Sequence, residues 1–204
     1  MDKYQKHTHR EHIYSLPDTY IGSIETAPEE HYVVSGTSFV QKTVQFNPGF
    51  YKLVDELLVN AHDHVVRLRQ RKSTNPVKNI WVTIDSDSLT IKNDGEAIDV
   101  EQHPQHGWIP QMIFGELLTS TNYDKEEKKL VGGKNGYGVK LVNIFAKSLE
   151  VTIVDSQREL RYVQTFEDNM TKTGKPVLSK TKNKSFVQLV WTPDFQKVGM
   201  TSIP

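Results

Sequence analysis

Apolar residues between Phe50 and Val65 recur at the three- and four-residue spacing of a helix that is buried on one face. The members of this stripe are Phe50, Leu53, Val54, Leu57, Leu58, Ala61 and Val65. Asn47 and Pro48 come directly before it and are a capping residue and a first-turn proline. Basic residues follow the stripe, where they suit the C-terminal end of a helix. The pattern predicts one long amphipathic helix from Asn47 to about Arg71.

Short runs of β-branched and aromatic residues predict strands on both sides of this helix. The runs cover 31–35, 39–46, 79–85, 88–92, 149–154, 161–166 and 185–191, with one more strand near Ser23. Helices are predicted over 11–15, 110–118 and 135–148. Since strict βαβ alternation is missing, we expect an α+β fold. It is a two-layer sandwich with helices on one face of a mixed, mostly antiparallel sheet.

Composition narrows the class of protein. The 204 residues suffice for one large domain, and Lys plus Arg and Asp plus Glu both number 25. A domain that holds DNA through its own phosphate contacts is usually basic, so we expect weak or no DNA binding by this chain itself. There is no cysteine, which excludes disulfides and cysteine-ligated zinc. Since no apolar run has the length of a transmembrane helix, we expect an intracellular protein that makes no membrane contact.

A glycine-rich stretch from Gly132 to Lys140 reads GGKNGYGVK. Glycines let successive backbone N–H groups converge on an anion, and the apolar pattern that follows predicts a helix whose N-terminus favours the same charge. The spacing fits neither a Walker A loop nor a dinucleotide fingerprint. The stretch therefore indicates an anion-binding loop of another kind. A glycine-rich surface loop without a ligand is the open alternative.

The long helix carries polar residues at the edge of its apolar stripe. Glu56, Asn60 and Asp63 follow at i, i+4 and i+7, which places them in one narrow sector. A carboxylate there can act as a general base on water, and an amide oxygen one turn further on can ligate Mg²⁺. Taken alone, this pattern is more simply a solvated helix face, which is the alternative.

A third motif follows the predicted strand that ends at Lys92. Asn93 precedes an Asp94–Gly95 turn, and Ile98 comes three residues after the glycine. Such a turn can present Asn93 to the edge of a purine while Ile98 packs on the face of the base. An ordinary Asp–Gly turn without a ligand is the alternative.

These three motifs, in this order, resemble the Bergerat (GHKL) ATP-binding fold shared by gyrase, Hsp90, histidine kinases and MutL. Further segments are similar to the N-terminal ATPase region of eukaryotic-type DNA topoisomerase II, a type IIA enzyme. They are YQK at 4–6, PDTYIGS at 17–23, DELLVNA at 55–61, IFGELLTS at 113–120, NYD at 122–124 and GGKNGYGVK at 132–140. The resemblance covers essentially the whole chain, to about residue 194.

The resemblance implies roles for individual residues. Glu56 is the expected catalytic base, which activates the water that attacks the γ-phosphate, and Asn60 the expected Mg²⁺ ligand. Asn93 binds the adenine side, Lys140 offsets phosphate charge, and Tyr4 reaches the nucleotide of the partner subunit. The implied ATP-binding set is Asn60, Asp63, Asn93, Ile98, Ile113, Phe114, Ser120, Thr121, Asn122, Gly133, Lys134, Asn135, Gly136, Tyr137, Gly138, Val139 and Lys140.

The resemblance also implies an organisation. Residues 1–12 form an N-terminal arm and 13–204 an ATP-binding domain, with an ATP lid over about 107–135. ATP and Mg²⁺ are the expected cofactors. A homodimer forms on ATP binding, DNA is engaged through the full-length enzyme, and the location in a eukaryote is the nucleus. The family's transducer domain, which supplies a further phosphate-contacting lysine, and its DNA-cleaving tyrosine are not among these 204 residues. A nucleotide-binding module with negligible turnover, or another ATPase of this fold, is therefore the alternative.

Two positions depart from the family pattern. Ala97 stands where the wider family has a second glycine after the Asp–Gly turn. By a gapless count back from Pro193, Val187 stands where the family usually has a threonine on the last strand. Either Ser185 supplies the missing hydroxyl near the adenine, or the contact is lost.

Overall fold

The computed structural model describes residues 8–116 and 138–203. Its helices are α1 (His9–Ser15), α2 (Pro17–Tyr20), α3 (Pro48–Gln70), α4 (Ile109–Gly115), α5 (Gly138–Ile144) and a 3-10 helix (Phe195–Val198). Its strands are β1 (Ala27–Ser35), β2 (Ser38–Phe46), β3 (Ile80–Ile84), β4 (Leu89–Asp94), β5 (Gln102–His103), β6 (Gly107–Trp108), β7 (Ala146–Asp155), β8 (Leu160–Glu167), β9 (Lys172–Thr173), β10 (Val177–Lys180) and β11 (Phe186–Pro193). None of the described helices is both long and apolar enough to span a membrane.

The main sheet has the strand order β10-β8-β7-β11-β4-β3, and β9 adds to β8. Every strand pair within the described ranges is antiparallel. β1 and β2 form a separate hairpin, and β5 and β6 form another two-stranded sheet. Helices α3 and α5 pack against each other and contact β4 and β11 of the sheet. The predicted α+β class, with a mostly antiparallel sheet, is confirmed.

The inward face of the sheet forms the hydrophobic core. Alternate residues of β11, including Leu189 and Trp191, are buried, as the two-residue period of a strand requires. The indole N–H of Trp191 donates to the carbonyl oxygen of Val142 in α5 at 3.1 Å. Phe50 of α3 stacks on the same indole with ring centroids 5.6 Å apart. Trp191 therefore joins both helices to the sheet.

The long helix forms as its sequence predicts. Asn47 is the N-cap, and its side-chain oxygen accepts a hydrogen bond from the backbone N–H of Phe50 at 2.8 Å. Leu53 and Leu57 are fully buried. Leu58, which the stripe predicts to be buried, is 39% exposed, so that prediction is wrong. The reason is rotation, because each residue turns about 100° from the last and Leu58 leaves the sector that faces the core.

Other predictions of local structure are also wrong, since α4 ends at Gly115 rather than at residue 118. Helix α5 ends at Ile144 rather than at residue 148, and Ala146 already pairs with Pro193 as the start of β7. An unbroken apolar run crosses this boundary, so hydrophobic periodicity does not mark it. No strand forms near Ser23, whose carbonyl oxygen instead accepts a hydrogen bond from the N–H of Gly49 at 2.7 Å. The exposed strands β9 and β10 carry no prediction because they lack a buried face.

Candidate active site

The described site residues come from α3, the turn after β4, α4 and the start of α5. Glu56 of α3 lies against Gly138, the first residue of α5. A Cβ atom on Gly138 would collide with the Oε2 atom of Glu56. The last glycine of the glycine-rich stretch and the predicted base, which are far apart in the chain, are therefore neighbours.

The carboxylate of Glu56 is held by a lysine on its own helix. The ammonium of Lys52 lies 2.6 Å from Oε1 of Glu56, and the side chain of Glu56 is only 17% exposed. The hydrogen bond to Glu56 is the main reason that the pKa of Lys52 is raised. Sequence reasoning missed Lys52. Its spacing of four residues from Glu56 is the signal that could have indicated the pair.

Asn60 lies one turn further along α3. Its amide nitrogen donates to the backbone carbonyl oxygen of Glu56 at 2.5 Å. Among the described residues its Oδ1 accepts no hydrogen bond, so an amide oxygen is available to a ligand. Mg²⁺ prefers oxygen ligands, so this side chain fits the metal that the resemblance implies. Asp63, the next polar residue of the sector, is buried.

Asn93 lies on the inward face of the sheet and is 5% exposed. Its amide nitrogen donates to the carbonyl oxygen of Asp94 at 2.9 Å. The carboxylate of Asp94 binds the backbone before β3. It accepts hydrogen bonds from the backbone N–H groups of Lys78 and Asn79 at 2.7 and 2.9 Å. Burial acts to raise the pKa of Asp94, but the bonds from Asn79 and Lys78 outweigh it and lower the pKa. Asn93 is therefore the polar side chain of this turn that can serve a ligand.

The turn after β4 requires its glycine. Gly95 has a φ of +91°, and a Cβ atom there would stand 2.7 Å from the backbone nitrogen of Val77. The next residue, Glu96, fastens the turn to the end of α3. Its carboxylate lies 2.6 Å from the guanidinium of Arg71, and its carbonyl oxygen lies 2.6 Å from the Nε2 atom of His64. The turn is thus held rigidly beside the helix that carries Glu56.

The apolar members of the predicted set differ in what they offer. Ile98 and Ile113 are half-buried and pack on the edge of the core, so part of each side chain remains accessible. Phe114 and Val139 are buried within the core. The carbonyl oxygen of Phe114 accepts a hydrogen bond from the buried amide of Asn143 at 2.9 Å, which ties α4 to α5. Phe114 and Val139 therefore contribute to the candidate site chiefly by supporting its partly exposed residues from the core.

Lys140 is a buried cation, with 1% of its surface exposed. Burial lowers the pKa of Lys140 to about 8, and the nearby carboxylate of Glu116 acts in the opposite direction. The approach of an anion stabilises the charged form of a buried lysine and offsets the cost of its burial. The electrostatics of this position therefore suit phosphate.

Several predicted residues lie outside the described ranges. They are Tyr4, Ser120, Thr121, Asn122, Gly133, Lys134, Asn135, Gly136 and Tyr137. The lid over 107–135 lies mostly outside them as well, and these assignments stay predictions.

The structure resolves the question of a hydroxyl beside Asn93. Val187 is the direct cross-strand partner of Asn93, and it is buried. Ser185 precedes β11, and its hydroxyl oxygen lies 2.6 Å from that of Ser156 and accepts the N–H of Ser156 at 2.9 Å. Ser185 is therefore committed to the β7–β8 turn, and the position facing Asn93 on β11 is apolar.

Comparisons with known proteins agree with this geometry. The family described as "Histidine kinase-, DNA gyrase B-, and HSP90-like ATPase" matches residues 47–174. The chain is 41% identical over 208 residues to DNA topoisomerase 2 of Saccharomyces cerevisiae, covering 99% of this chain and 14% of the relative. It is 39% identical over 206 residues to DNA topoisomerase 2 of Acanthamoeba polyphaga mimivirus, covering 98% and 16%. The chain thus spans a small part of the length of these relatives.

Solved structures give the same result. The crystal structure of the ATPase region of S. cerevisiae topoisomerase II matches with a TM-score of 0.93 and 40% identity, over 100% of this chain and 54% of that one. The 43K ATPase domain of Thermus thermophilus gyrase B matches with a TM-score of 0.66 and 17% identity, over 96% of this chain and 42% of that one, a likeness of fold alone. This chain therefore belongs to the histidine kinase-, DNA gyrase B- and HSP90-like ATPase family, and within it has the fold of the topoisomerase II ATPase region.

Proposed function

We propose that this chain is the ATP-binding and ATP-hydrolysing domain of a type IIA DNA topoisomerase. In this proposal, ATP binding closes a homodimeric gate, and the whole enzyme passes one DNA duplex through another. The observation that carries the assignment is the contact between Glu56 and Gly138, with the amide of Asn60 one helical turn away. A carboxylate, an amide oxygen and the last glycine of the glycine-rich stretch lie close together there, which suits the hydrolysis of a phosphoanhydride.

Hydrolysis of ATP depends mainly on positioning and on the stabilisation of charge. Glu56 accepts a proton from the water that attacks the γ-phosphate, and Lys52 holds the carboxylate in place through their 2.6 Å contact. Lys140 contributes positive charge near the phosphates. Asn60 is the residue that would hold Mg²⁺, an ion that offsets phosphate charge when bound.

The base end of the nucleotide is assigned to the turn after β4. The amide nitrogen of Asn93 donates one hydrogen bond to Asp94, and its Oδ1 is an acceptor that suits the amino group of adenine. Ile98 offers an apolar surface to the face of the ring. These two side chains are the residues that we assign to the adenine ring.

Replacement of Glu56 by Gln tests the assignment. The amide keeps the size of the side chain but cannot accept the proton, so we expect ATP turnover to fall roughly 100-fold or more, as for the loss of a general base. The Kd for ATP, measured by isothermal titration calorimetry, is expected to stay within about threefold of the original value. A change of this size is less than roughly 1.4 kcal/mol of binding free energy, which corresponds to a tenfold change in Kd.

Asp55→Asn is the matched control. Asp55 neighbours Glu56 on the same helix and also contacts Lys52, at 3.4 Å, but the atoms nearest to a Cβ on Gly138 all belong to Glu56. Its variant is expected to keep most of the turnover. Equal loss in both variants, or full turnover by Glu56→Gln, would show that Glu56 is not the base.

A nucleotide-binding module with negligible turnover is the second candidate. This chain covers only 54% of the solved S. cerevisiae topoisomerase II ATPase region. Residues in the other part of that region could be needed for hydrolysis, which favours this candidate. Absence of turnover by this 204-residue chain, together with measurable ATP binding, would support that candidate.

Dimerisation and DNA engagement belong to the same proposal. Size-exclusion chromatography with and without a non-hydrolysable ATP analogue tests the gate, because closure doubles the apparent mass. With a net charge of zero, the domain is expected to bind DNA weakly or not at all, and DNA is engaged by the whole enzyme. A nuclear location is proposed for the eukaryotic case.

A further inference from the structure

The segment that carries Ile98 is held from a distant turn. The backbone N–H of Val100 donates to the Oδ2 atom of Asp155 at 3.1 Å. Asp155 is the last residue of β7 and is 3% exposed. A carboxylate this deeply buried must be compensated by hydrogen bonds and by positive charge, otherwise its burial is costly. Its partners therefore determine how firmly Val100 is held.

Asp155 is compensated by the turn that follows it. Its Oδ1 atom accepts hydrogen bonds from the backbone N–H groups of Gln157 and Arg158 at 3.0 and 3.2 Å. The guanidinium of Arg158 lies 2.9 Å from Oδ2 of Asp155. The same guanidinium also lies 2.8 Å from a carboxylate oxygen of Asp99 and 2.8 Å from one of Glu101. Arg158 thus forms ion pairs with both residues that flank Val100.

These four residues, Asp99, Glu101, Asp155 and Arg158, form what we call the Arg158 bracket. We infer that the Arg158 bracket positions the base-side wall of the nucleotide site, and that Arg158 is a positioning residue for the base. This inference rests on the proposed ATP site. The bracket fixes the segment immediately after Ile98 to the β7–β8 turn. The position of the Ile98 side chain is therefore determined by contacts outside the nucleotide site.

The bracket is attached to one half of the site only. Arg158 binds the carboxylates of Asp99 and Glu101 on the base side. The phosphate side is built from α3 and α5, and none of the residues of these two described helices forms a hydrogen bond or ion pair with the Arg158 side chain. A planar guanidinium can bind several carboxylates at once, which the point charge of lysine does less well. Loss of the bracket should therefore weaken the binding of the base and leave the binding of the phosphates unchanged.

Calorimetry of Arg158→Met with two probes tests this inference. The probes are ATP and inorganic tripolyphosphate, at the same Mg²⁺ concentration. We expect the Kd for ATP to rise roughly three- to tenfold, the range for residues coupled in one charge network, and the Kd for tripolyphosphate to stay the same. Arg158→Lys should recover part of the ATP affinity. Hydrogen exchange at the Val100 amide should become faster in the Met variant.

The matched control is Lys172→Met, which removes an exposed ion pair with Asp168 that lies away from the 99–101 segment. It should change neither Kd. Should Arg158→Met fold poorly, the double variant Asp99→Asn with Glu101→Gln takes its place, because both side chains are half-exposed. Unchanged ATP affinity, or equal weakening of both probes, would overturn the inference. Failure of the original chain to bind ATP would instead remove the proposed ATP site itself.

Discussion

At the scale of single residues, Gly138 shows how the structure gives a motif a second meaning. The sequence predicts this glycine as part of an anion-binding loop. The structure adds that its missing Cβ leaves room for the carboxylate of Glu56, which would otherwise be displaced. The same side chain is held on its other side by Lys52. A glycine is needed here because the carboxylate of Glu56 occupies the space in which a side chain would begin.

Gly138→Ala is therefore expected to separate activity from stability. The added methyl group forces Glu56 to rotate, and a misplacement of about 1 Å can lower turnover roughly 100-fold. Stability should not fall, since alanine favours a helix more than glycine by about 1 kcal/mol. Steady-state ATPase assays and thermal unfolding measure the two effects. In a Glu56→Gln background the same change should cause little further loss, and a full additional loss would show that it acts elsewhere.

At the scale of elements, α5 is unusual because it is buried on nearly all sides. Residues 139–144 are all buried, including Lys140 and Asn143. An amphipathic helix would place its lysine in solvent, whereas a helix enclosed by α3, α4 and the sheet cannot. Its apolar pattern was visible in the sequence, but the burial of its polar residues was not. The lowered pKa of Lys140 is the direct consequence.

The burial of Lys140 predicts a pH dependence of stability. Its pKa is about 8 when folded and about 10.5 when unfolded, so between these values the unfolded chain binds more protons. The free energy of unfolding attributable to Lys140 should then rise between pH 8 and 10.5, by roughly 1–3 kcal/mol. Urea unfolding of the original chain and of Lys140→Met, at each pH, measures it as the difference between the two.

Lys52→Met is the matched control for that series. The pKa of Lys52 is raised, so its contribution is present below its unfolded value of 10.5 and is lost only at higher pH. Its difference curve should therefore be flat between pH 8 and 10. A flat difference curve for Lys140→Met as well would contradict the lowered pKa of Lys140.

The affinity for ATP should also depend on pH. Lys140 loses its positive charge above about pH 8, so ATP binding should weaken there in the original chain and weaken less in Lys140→Met.

At the scale of the whole molecule, Asn47 joins three distant parts of the chain. Besides capping α3, its amide nitrogen donates to the carbonyl oxygens of Ile24 and Val198, each at 2.9 Å. The segment before β1, the start of α3 and the 3-10 helix near the end of the described chain therefore meet at one buried side chain. This arrangement keeps the helix that carries Glu56 in register with the sheet.

Asn47→Ala is expected to lower the free energy of unfolding by about 2–4 kcal/mol, since it removes a helix cap and leaves buried carbonyl groups unpaired. Chemical denaturation measures the loss. Asn47→Asp is the informative control, because it keeps the acceptor for Phe50 but loses the hydrogen bonds donated to Ile24, Thr26 and Val198. If both variants were as stable as the original chain, the joining role of Asn47 would be wrong.

Much of the fold was accessible from the sequence because it depends on local signals. The hairpin of β1 and β2, helix α3 with its cap, and the turn at Gly95 all follow from periodicity, capping and turn chemistry among neighbouring residues. Boundaries failed where apolar runs continued from one element into the next, as at Ala146. The exposed strands β9 and β10 were missed because nothing in their pattern distinguishes them from a loop.

By itself, the sequence determined the chemistry available to this protein and its local geometry. It placed Glu56 and Asn60 on one edge of a helix, since 3.6 residues per turn leaves no other arrangement. Only the tertiary structure decided that Glu56 lies against Gly138, that Lys140 is buried, and that Arg158 grips the residues beside Val100. These contacts join residues dozens of positions apart or depend on what covers them. They follow from the packing of the whole chain, which no local pattern contains.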